Sequence, residues 1–249
     1  MLAPRTATPS AVVDLALDLA EVRATDVLVD VGSNDARVLL RAAEFVKVRP
    51  APAAPGPGDR SRLRCVGVEI DEEACAGAAE RVADAGLAGD IDIVCGDVLT
   101  NARAARALAD CSVVFMFMAP RGQGQLKRKI AEACAPGTRV VSYLFPLHRH
   151  RHGAGTAAAC GGVDEDPFDA WFVRSESLPS TRPGGIDVSS FSAVYLYRVG
   201  GPDSGSEDGA TGHVPRSLPA PPPPPPPGKP GAGAGADDGG PALGQFGAA

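Results

Sequence analysis

The chain lacks the sequence features of a metal-binding, membrane-spanning or secreted protein. Its six cysteines are 10 to 26 residues apart and form no CxxC pair, so no metal site is expected. No apolar run approaches the roughly 18 residues of a membrane span, and the first residues, MLAPR, do not resemble a secretory signal. Because most cysteines lie within apolar runs, we expect free thiols in a reducing compartment. We therefore predict an intracellular protein, cytoplasmic in the simplest case, with an organelle left open.

Positive charge is scarce as well. The formal net charge is −6, of which −3 falls on residues 1–200 and −3 on residues 201–249. A partner made of nucleic acid requires an excess of Lys and Arg that neutralises its phosphates. We therefore expect no nucleic-acid partner.

Proline and glycine are distributed unevenly along the chain. They supply 24 of the 49 residues in 201–249, which carry too few apolar side chains to offset the entropy of ordering. We predict that 201–249 is a disordered tail and that 1–200 forms one domain, which is long enough to bury a core without disulfides. Within that domain, 47–63 is rich in Pro and Gly and is predicted to be an inserted surface loop.

The domain alternates between short β-branched runs and helical stretches, which is typical of a parallel sheet with crossover helices. The last two predicted strands have no helix between them and should pair antiparallel at one edge. The predicted strands are 27–31, 64–70, 91–98, 112–118, 138–145, 171–173 and 191–199. The predicted helices are one that opens at Thr8 and Pro9, and others near 35–45, 72–85, 102–109 and 123–135. The fold class is therefore α/β, with a Rossmann-like seven-stranded sheet, helices on both faces and an antiparallel edge hairpin.

Ligands of such sheets bind beyond the carboxyl ends of the strands. The first strand leads into a tight turn, DVGSNDAR at 30–37, whose backbone N–H groups can meet a polar ligand group. The second leads to Glu69, whose carboxylate can accept hydrogen bonds from both hydroxyls of a ribose. The third leads to Gly96, Asp97 and Val98, where a carboxylate can accept from an adenine amino group and a backbone N–H can donate to the ring. Together, the three strand ends predict an adenosine-binding site.

This ordered set of motifs resembles the class I S-adenosylmethionine-dependent methyltransferases over about residues 9–200. Segment 30–37 is similar to the glycine-rich first motif of that family, VGVEID at 66–71 to its ribose-binding strand, and CGDV at 95–98 to its adenine-binding turn. Segments 113–120 and 139–146 are similar to the small protein-lysine methyltransferases that act on mitochondrial membrane proteins. Asn34 and Ala36 depart from the pattern, since they stand where the family has glycine. Asn tolerates the left-handed backbone region better than other side chains, so the turn can persist at Asn34.

The resemblance implies S-adenosyl-L-methionine as the cofactor. The residues that it implies for cofactor binding are Asp30, Gly32, Ser33, Asn34, Glu69, Asp97 and Val98. It also implies direct displacement, in which the lone pair of a protein lysine attacks the sulfonium methyl group. The lysine has to lose a proton first; no catalytic residue is assigned to that step, and the carbonyl groups of 118–120 are candidates by position alone. Segment 118–121 reads MAPR and lacks the Asp/Asn-Pro-Pro-aromatic motif of adenine-N6 enzymes.

The residues leave other interpretations open. Asp30 has the alternative role of a helix cap, Glu69 that of a solvated strand end, and Asp97 that of a turn former. The missing glycines are compatible with a weak or catalytically dead relative that acts as a binding or scaffold protein. A small-molecule methyltransferase is another alternative. A nicotinamide-dependent oxidoreductase would also use a glycine turn and an acidic ribose ligand, but the turn lacks GxGxxG and the third strand end would be unexplained.

The remaining features are assigned to packing, solvent or the tail. His148, His150 and His152 alternate with arginines and are predicted to lie on a solvated loop. The aromatic and methionine side chains of 115–118 are predicted to be core rather than a substrate cage. In the tail, 216–222 matches RxxPxxP before a run of prolines, which makes an SH3, WW or profilin-type protein an alternative partner.

Overall fold

A seven-stranded sheet between two layers of helices forms the centre of the protein. The structure is a computed structural model that describes residues 7–48, 62–148, 166–178 and 193–201. All of these belong to the unit Met1–Thr211, and the second unit, Gly212–Ala249, lies outside the described residues. Most of the predicted loop 47–63 and nearly all of the predicted tail also lie outside them, so the domain boundaries stay predictions.

Six helices and seven strands make up the described part of the chain. The helices are α1 (Ser10–Leu19), α2 (Arg37–Val48), α3 (Glu72–Asp84), α4 (Ala102–Asp110), α5 (Pro120–Ala133) and α6 (Pro167–Trp171). The strands are β1 (Val27–Val31), β2 (Arg64–Glu69), β3 (Ile91–Cys95), β4 (Val113–Met116), β5 (Arg139–Tyr143), β6 (Phe172–Glu176) and β7 (Val194–Arg198). The predicted strands are confirmed, with shifts of a few residues at their ends. No prediction covered α6, because five residues are too few to show helical periodicity.

Two helix starts differ from the prediction. The predicted cap at Thr8 is wrong, since α1 begins at Ser10 with Pro9 as its N-cap and no side-chain hydrogen bond there. Thr8 is instead buried. Helix α5 begins at Pro120, three residues before the predicted start, because a proline at the first helical position needs no N–H partner.

The strand order is β3-β2-β1-β4-β5-β7-β6. Strands β1 to β5 are parallel, and β7 runs antiparallel to both β5 and β6, which confirms the predicted antiparallel edge pair. The order reverses between β1 and β4. Ligand sites of such sheets lie at the carboxyl ends of the strands near that reversal.

Alternate side chains along the strands fill two cores, one on each face of the sheet. Leu28 and Phe115 face the core shared with α1, α2 and α3, whereas Val29 and Met116 face the core shared with α4, α5 and α6. Burial on both faces explains why these strands have near-continuous apolar sequences. Phe115 and Met116 are confirmed as core, while Phe117 and Met118 are only half-buried. Within the described ranges the five cysteines are free thiols, and no helix is long and apolar enough to cross a membrane.

A buried polar cluster joins the amino ends of β1, β4 and β5. The carboxylate of Asp26 forms an ion pair with Arg139 and accepts from Ser112 Oγ at 2.7 Å and from Arg23 N at 2.7 Å. Arg139 Nη1 also donates to the carbonyl oxygen of Ala20 at 2.7 Å. The ion pair has several further hydrogen bonds, which is the condition under which two buried charges are tolerated.

The variant Arg139→Met should lower the free energy of unfolding by about 3 kcal/mol, because it leaves the buried carboxylate of Asp26 without its cation. The control is Arg103→Met, since Arg103 pairs with Asp92 at 2.8 Å on the surface and such exposed pairs contribute less than about 1 kcal/mol. Urea denaturation of both variants measures the difference. Equal small losses in the two variants would contradict the importance of the buried cluster.

Candidate functional site

The carboxyl ends of β1, β2 and β3 bring the predicted site residues to one edge of the sheet. The turn after β1 closes onto β2, because Gly32 N and Ser33 N donate to the carbonyl oxygen of Val68 at 2.8 and 3.2 Å. The turn after β3 closes onto β2 from the other side, since Gly96 N donates to the carbonyl oxygen of Glu69 at 2.7 Å. The backbone donors of Gly32 and Ser33 are therefore already engaged within the protein. The three strand ends are adjacent in space.

The turn between β1 and α2 passes three times through the left-handed backbone region. Gly32, Asn34 and Ala36 have φ values of 81°, 45° and 60°. The two positions that lack glycine thus adopt the conformation that glycine favours. This region costs an L-residue about 1–2 kcal/mol, and Asn less than most. Because Ala36 is fully buried, packing around its methyl group holds it in this conformation.

Backbone amides hold the carboxylate of Glu69 in place. Oε2 accepts from Asn34 N at 2.9 Å, while Oε1 accepts from Ile70 N at 2.8 Å and from Asp71 N at 3.0 Å. These bonds orient the carboxylate beside the glycine turn. A carboxylate has about four lone-pair sites, so these three bonds leave Oε2 able to accept from a ligand hydroxyl.

The side chain of Asp97 organises the turn after β3. Its Oδ1 accepts from Leu99 N at 2.9 Å, so the alternative role of a turn former is realised. Oδ2 has no hydrogen-bond partner among the described residues and is left for a ligand. Gly96 has a φ of 141°, and a Cβ there would lie 2.6 Å from Nδ2 of Asn101. Val98 is half-buried against the core.

Asp30 and Ser33 are buried polar side chains without hydrogen-bond partners in the described part of the chain. Asp30 is 3% exposed, and no hydrogen bond reaches its carboxyl group, so the alternative of a helix cap does not apply. Burial raises the pKa of this carboxyl from 3.8 to about 8, with further contributions from the charges of Glu69 and Asp35. Ser33 Oγ is buried and unpaired. A buried hydroxyl without a partner is uncommon, and this one lies in the turn that follows β1.

Gly67 is a site residue that the sequence analysis missed. It lies inside β2, in register with Asp30. A Cβ at this position would lie 2.6 Å from Ser33 Oγ and 2.9 Å from the side chain of Leu39. The turn can approach β2 only above a residue without a side chain. A glycine inside a strand is the sequence signal for such a close approach.

Ile70 was also missed. Its side chain is 62% exposed although it directly follows the buried strand β2. Asp71 caps α3 by accepting from Ala74 N at 2.9 Å, which leaves Ile70 between strand and helix. An exposed apolar side chain beside Glu69 offers a surface for a flat apolar group. The sequence signal is an apolar residue between a strand and a helix cap.

Asp35 is the third missed residue, and it fastens the turn to its surroundings. Its carboxylate accepts from Arg37 Nη2 at 2.6 Å and from Arg81 Nη1 at 3.0 Å. The hydrogen bonds from Arg37 hold the pKa of Asp35 below its usual value. Helices α2 and α3 are thereby linked across the turn.

Of the three histidines, the structure describes His148. His148 was predicted to lie on a solvated loop, and this is wrong: its Nδ1 lies 2.8 Å from the hydroxyl of Tyr197, and its ring packs on Phe172. A buried tyrosine hydroxyl needs a partner, which the loop after β5 supplies. His150 and His152 lie outside the described residues. Across the described ranges, no group of three His, Cys, Asp or Glu side chains could hold a metal ion.

The variant Asp30→Asn should change how stability depends on pH. Between pH 3.8 and about 8 the folded protein holds a proton on Asp30 that the unfolded chain has lost, so this group makes stability fall as pH rises through that range. Between pH 4 and pH 8, the free energy of unfolding of Asp30→Asn should rise relative to that of wild type by at least about 1.4 kcal/mol, which corresponds to one pKa unit. Urea denaturation at the two pH values measures the gain. The control is Asp84→Asn, an exposed position on α3, and parallel pH profiles for Asp30→Asn and wild type would refute the assignment.

Comparison with known proteins identifies the family. No protein-family model matches the chain. The chain is 31% identical over 144 residues to a protein-lysine N-methyltransferase of Saccharolobus islandicus, and the match covers 58% of this chain and 78% of that protein.

A solved structure agrees with this relative. The crystal structure of an RNA methyltransferase from Salinibacter ruber in complex with S-adenosyl-L-homocysteine matches with a TM-score of 0.52 and 26% identity. The match covers 78% of this chain and 94% of that one. The sequence identity with the Saccharolobus islandicus protein and the fold shared with the Salinibacter ruber structure lead to the same assignment. The chain belongs to the class I S-adenosylmethionine-dependent methyltransferases.

Proposed function

We propose that the protein transfers the methyl group of S-adenosyl-L-methionine to a lysine side chain of another protein. The observation that carries the lysine assignment is the 31% identity with the protein-lysine N-methyltransferase over 78% of that relative. Family membership accounts for the glycine turn without a nicotinamide cofactor. The similarity to enzymes that act on mitochondrial membrane proteins stays a prediction, as does a partner for the tail.

The residues at the strand ends fit the cofactor. Oε2 of Glu69 retains acceptor capacity for a ribose hydroxyl, and Asp97 Oδ2 is unpaired at the end of β3. Ile70 exposes an apolar side chain that an adenine ring can cover. Asp30 and Ser33 supply polar groups that lack a partner at the end of β1. We therefore assign the adenosine to the ends of β2 and β3 and the rest of the cofactor to the side of β1 and β4.

Methyl transfer requires little of the protein beyond holding the reacting atoms in position. The bound cofactor supplies a methyl group on a positively charged sulfur, and the neutral thioether is a good leaving group. The protein contributes by holding the acceptor nitrogen, the methyl carbon and the sulfur in line and by excluding water. The acceptor amine must be neutral when it attacks, because its lone pair forms the new C–N bond. An apolar environment favours the neutral amine by lowering its pKa.

Charge at the site supports a cationic acceptor. Four acidic side chains stand at this edge of the sheet: Asp35, Glu69, Asp71 and Asp97. Arg37 and Arg81 both pair with Asp35, which leaves these six side chains with a net charge of −2. Net negative charge at the ends of β1, β2 and β3 attracts a cationic protein surface at long range and repels phosphates. Because the Salinibacter ruber protein is named as an RNA methyltransferase, RNA is the competing acceptor, and this charge pattern argues against it.

The variants Glu69→Ala and Asp97→Ala should each weaken the binding of S-adenosyl-L-homocysteine about tenfold or more. Each removes a charged acceptor, and hydrogen bonds to charged groups contribute about 1.5–3 kcal/mol. Isothermal titration calorimetry measures the affinity. Glu72→Ala is the matched control, because Glu72 is an exposed acid in the first turn of α3. Unchanged affinity in both site variants would remove the assignment of the site.

Incubation of the full chain with radiolabelled S-adenosylmethionine and a cell extract should place label in the protein fraction. The extract is separated afterwards into protein, RNA and small molecules, and acid hydrolysis of the labelled protein should yield methyl-lysine. Label confined to RNA or to small molecules would refute the lysine acceptor and leave a methyltransferase. If no fraction carries label although the protein still binds S-adenosyl-L-homocysteine, the result would favour the catalytically dead relative.

A further inference from the structure

Gln123 lies at the start of α5, beside the end of β4, and the cofactor assignment does not use it. Its side chain is buried, with 7% exposed. Nε2 donates to the carbonyl oxygen of Met118 at 3.1 Å and approaches that of Phe145 at 3.5 Å. Met118 follows β4 and Phe145 follows β5, which is the neighbouring strand. The amide of Gln123 therefore joins the two loops at the carboxyl ends of β4 and β5.

The two contacts decide which way the amide faces. Both atoms near Nε2 are carbonyl oxygens, which accept and cannot donate, so the NH₂ group and not the oxygen has to face them. Oε1 has no hydrogen-bond partner in the described part of the chain. It is also absent from the buried unpaired atoms there, which are Ser33 Oγ and Arg198 Nε. Solvent therefore reaches this oxygen, and an incoming group can donate to it.

Aromatic rings line the same two strand ends. The ring of Phe117 lies 4.6 Å from that of Tyr143 and 6.4 Å from that of Phe145, with the two phenylalanine rings within 15° of parallel. Ser142 Oγ donates to the carbonyl oxygen of Phe145 at 2.6 Å and holds this loop in place. Phe117 and Phe145 are half-buried, and Phe117 packs against the core shared with α1, α2 and α3. The two rings and the amide of Gln123 stand at the ends of the same two strands, β4 and β5.

These rings and Gln123 lie on one side of the assigned cofactor site. Adenosine at the ends of β3 and β2 leaves β1 and β4 for the reacting end of the cofactor, because the sheet order is β3-β2-β1-β4-β5. The acceptor then has to enter over β4 and β5. Gln123, Phe117 and Phe145 stand at those two strand ends.

We propose that Gln123 is an acceptor-binding residue, whose Oε1 accepts a hydrogen bond from the lysine amine while Phe117 and Phe145 pack on the lysine methylenes. This inference rests on the proposed function. An amide oxygen orients an N–H bond away from the cofactor, which directs the lone pair of the amine towards the methyl group. The apolar rings favour loss of the lysine proton to solvent before the attack. The C–N bond then forms as the C–S bond breaks, and sulfur keeps the electron pair of the broken bond. The product is a methylated ammonium group, which can release one further proton to solvent.

Two substitutions of Gln123 separate binding of the amine from joining of the loops. Gln123→Lys has a similar length and supplies N–H donors to the two carbonyl groups, but it has no acceptor atom. Gln123→Met also has a similar length and supplies neither. Initial rates are measured with the full chain, radiolabelled S-adenosylmethionine and the protein fraction of the extract, counted as methyl-lysine. Calorimetry with S-adenosyl-L-homocysteine and the melting temperature are recorded for every variant.

Both substitutions should lower the rate about tenfold or more, with the affinity for S-adenosyl-L-homocysteine within about twofold of wild type. The controls Gln125→Lys and Gln125→Met, at an exposed position of the same helix, should transfer methyl at the wild-type rate. A wild-type rate for Gln123→Lys would show that Gln123 only joins the two loops, and this would overturn the inference. Loss of S-adenosyl-L-homocysteine binding in the Gln123 variants would overturn it as well. If wild type itself forms no methyl-lysine, the proposed function fails first and the inference fails with it.

Discussion

The buried contact between Asp26 and Arg139 lies at the opposite end of the sheet from the site that depends on it. Together with Ser112 it joins the amino ends of β1, β4 and β5. Parallel strands run in one direction, so a fixed register at the amino ends determines where the carboxyl ends finish. The strand order reverses between β1 and β4, which is where sheets of this kind bind ligands, and the polar cluster joins the amino ends of these two strands.

Charged side chains compensate for the glycines that the first turn lacks. Asn34 and Ala36 have positive φ, which costs free energy that glycine would avoid. The carboxylate of Glu69 binds Asn34 N, and Asp35 is held by arginines from α2 and α3. Strained backbone persists where its surroundings over-determine it. The same carboxylate that we assign to the ribose thus also shapes the turn, which couples the form of the turn to occupancy of the site.

The sequence predicted more of the fold than of the site. Seven strands, the parallel and antiparallel pairings and the arrangement of three strand-end motifs follow from periodicity and composition, because burial on both faces leaves a strong apolar pattern. The five-residue α6 did not follow because it is too short to show helical periodicity. The contact of His148 with Tyr197 did not follow because it joins residues that are distant in the chain. Gly67 and Ile70 carry local signals, but only neighbours from other elements give those signals a meaning.

The sequence by itself determined the class of fold and placed Glu69 and Asp97 at two strand ends. These depend on local pattern and on the rule that ligands bind at the carboxyl ends of parallel strands. Only the tertiary structure decided which groups are unpaired. Asp30 and Ser33 lack partners, Asp97 retains one oxygen, and Gln123 directs its NH₂ group at two carbonyls. Hydrogen bonding and burial are properties of neighbours in space, and a linear sequence does not contain those distances.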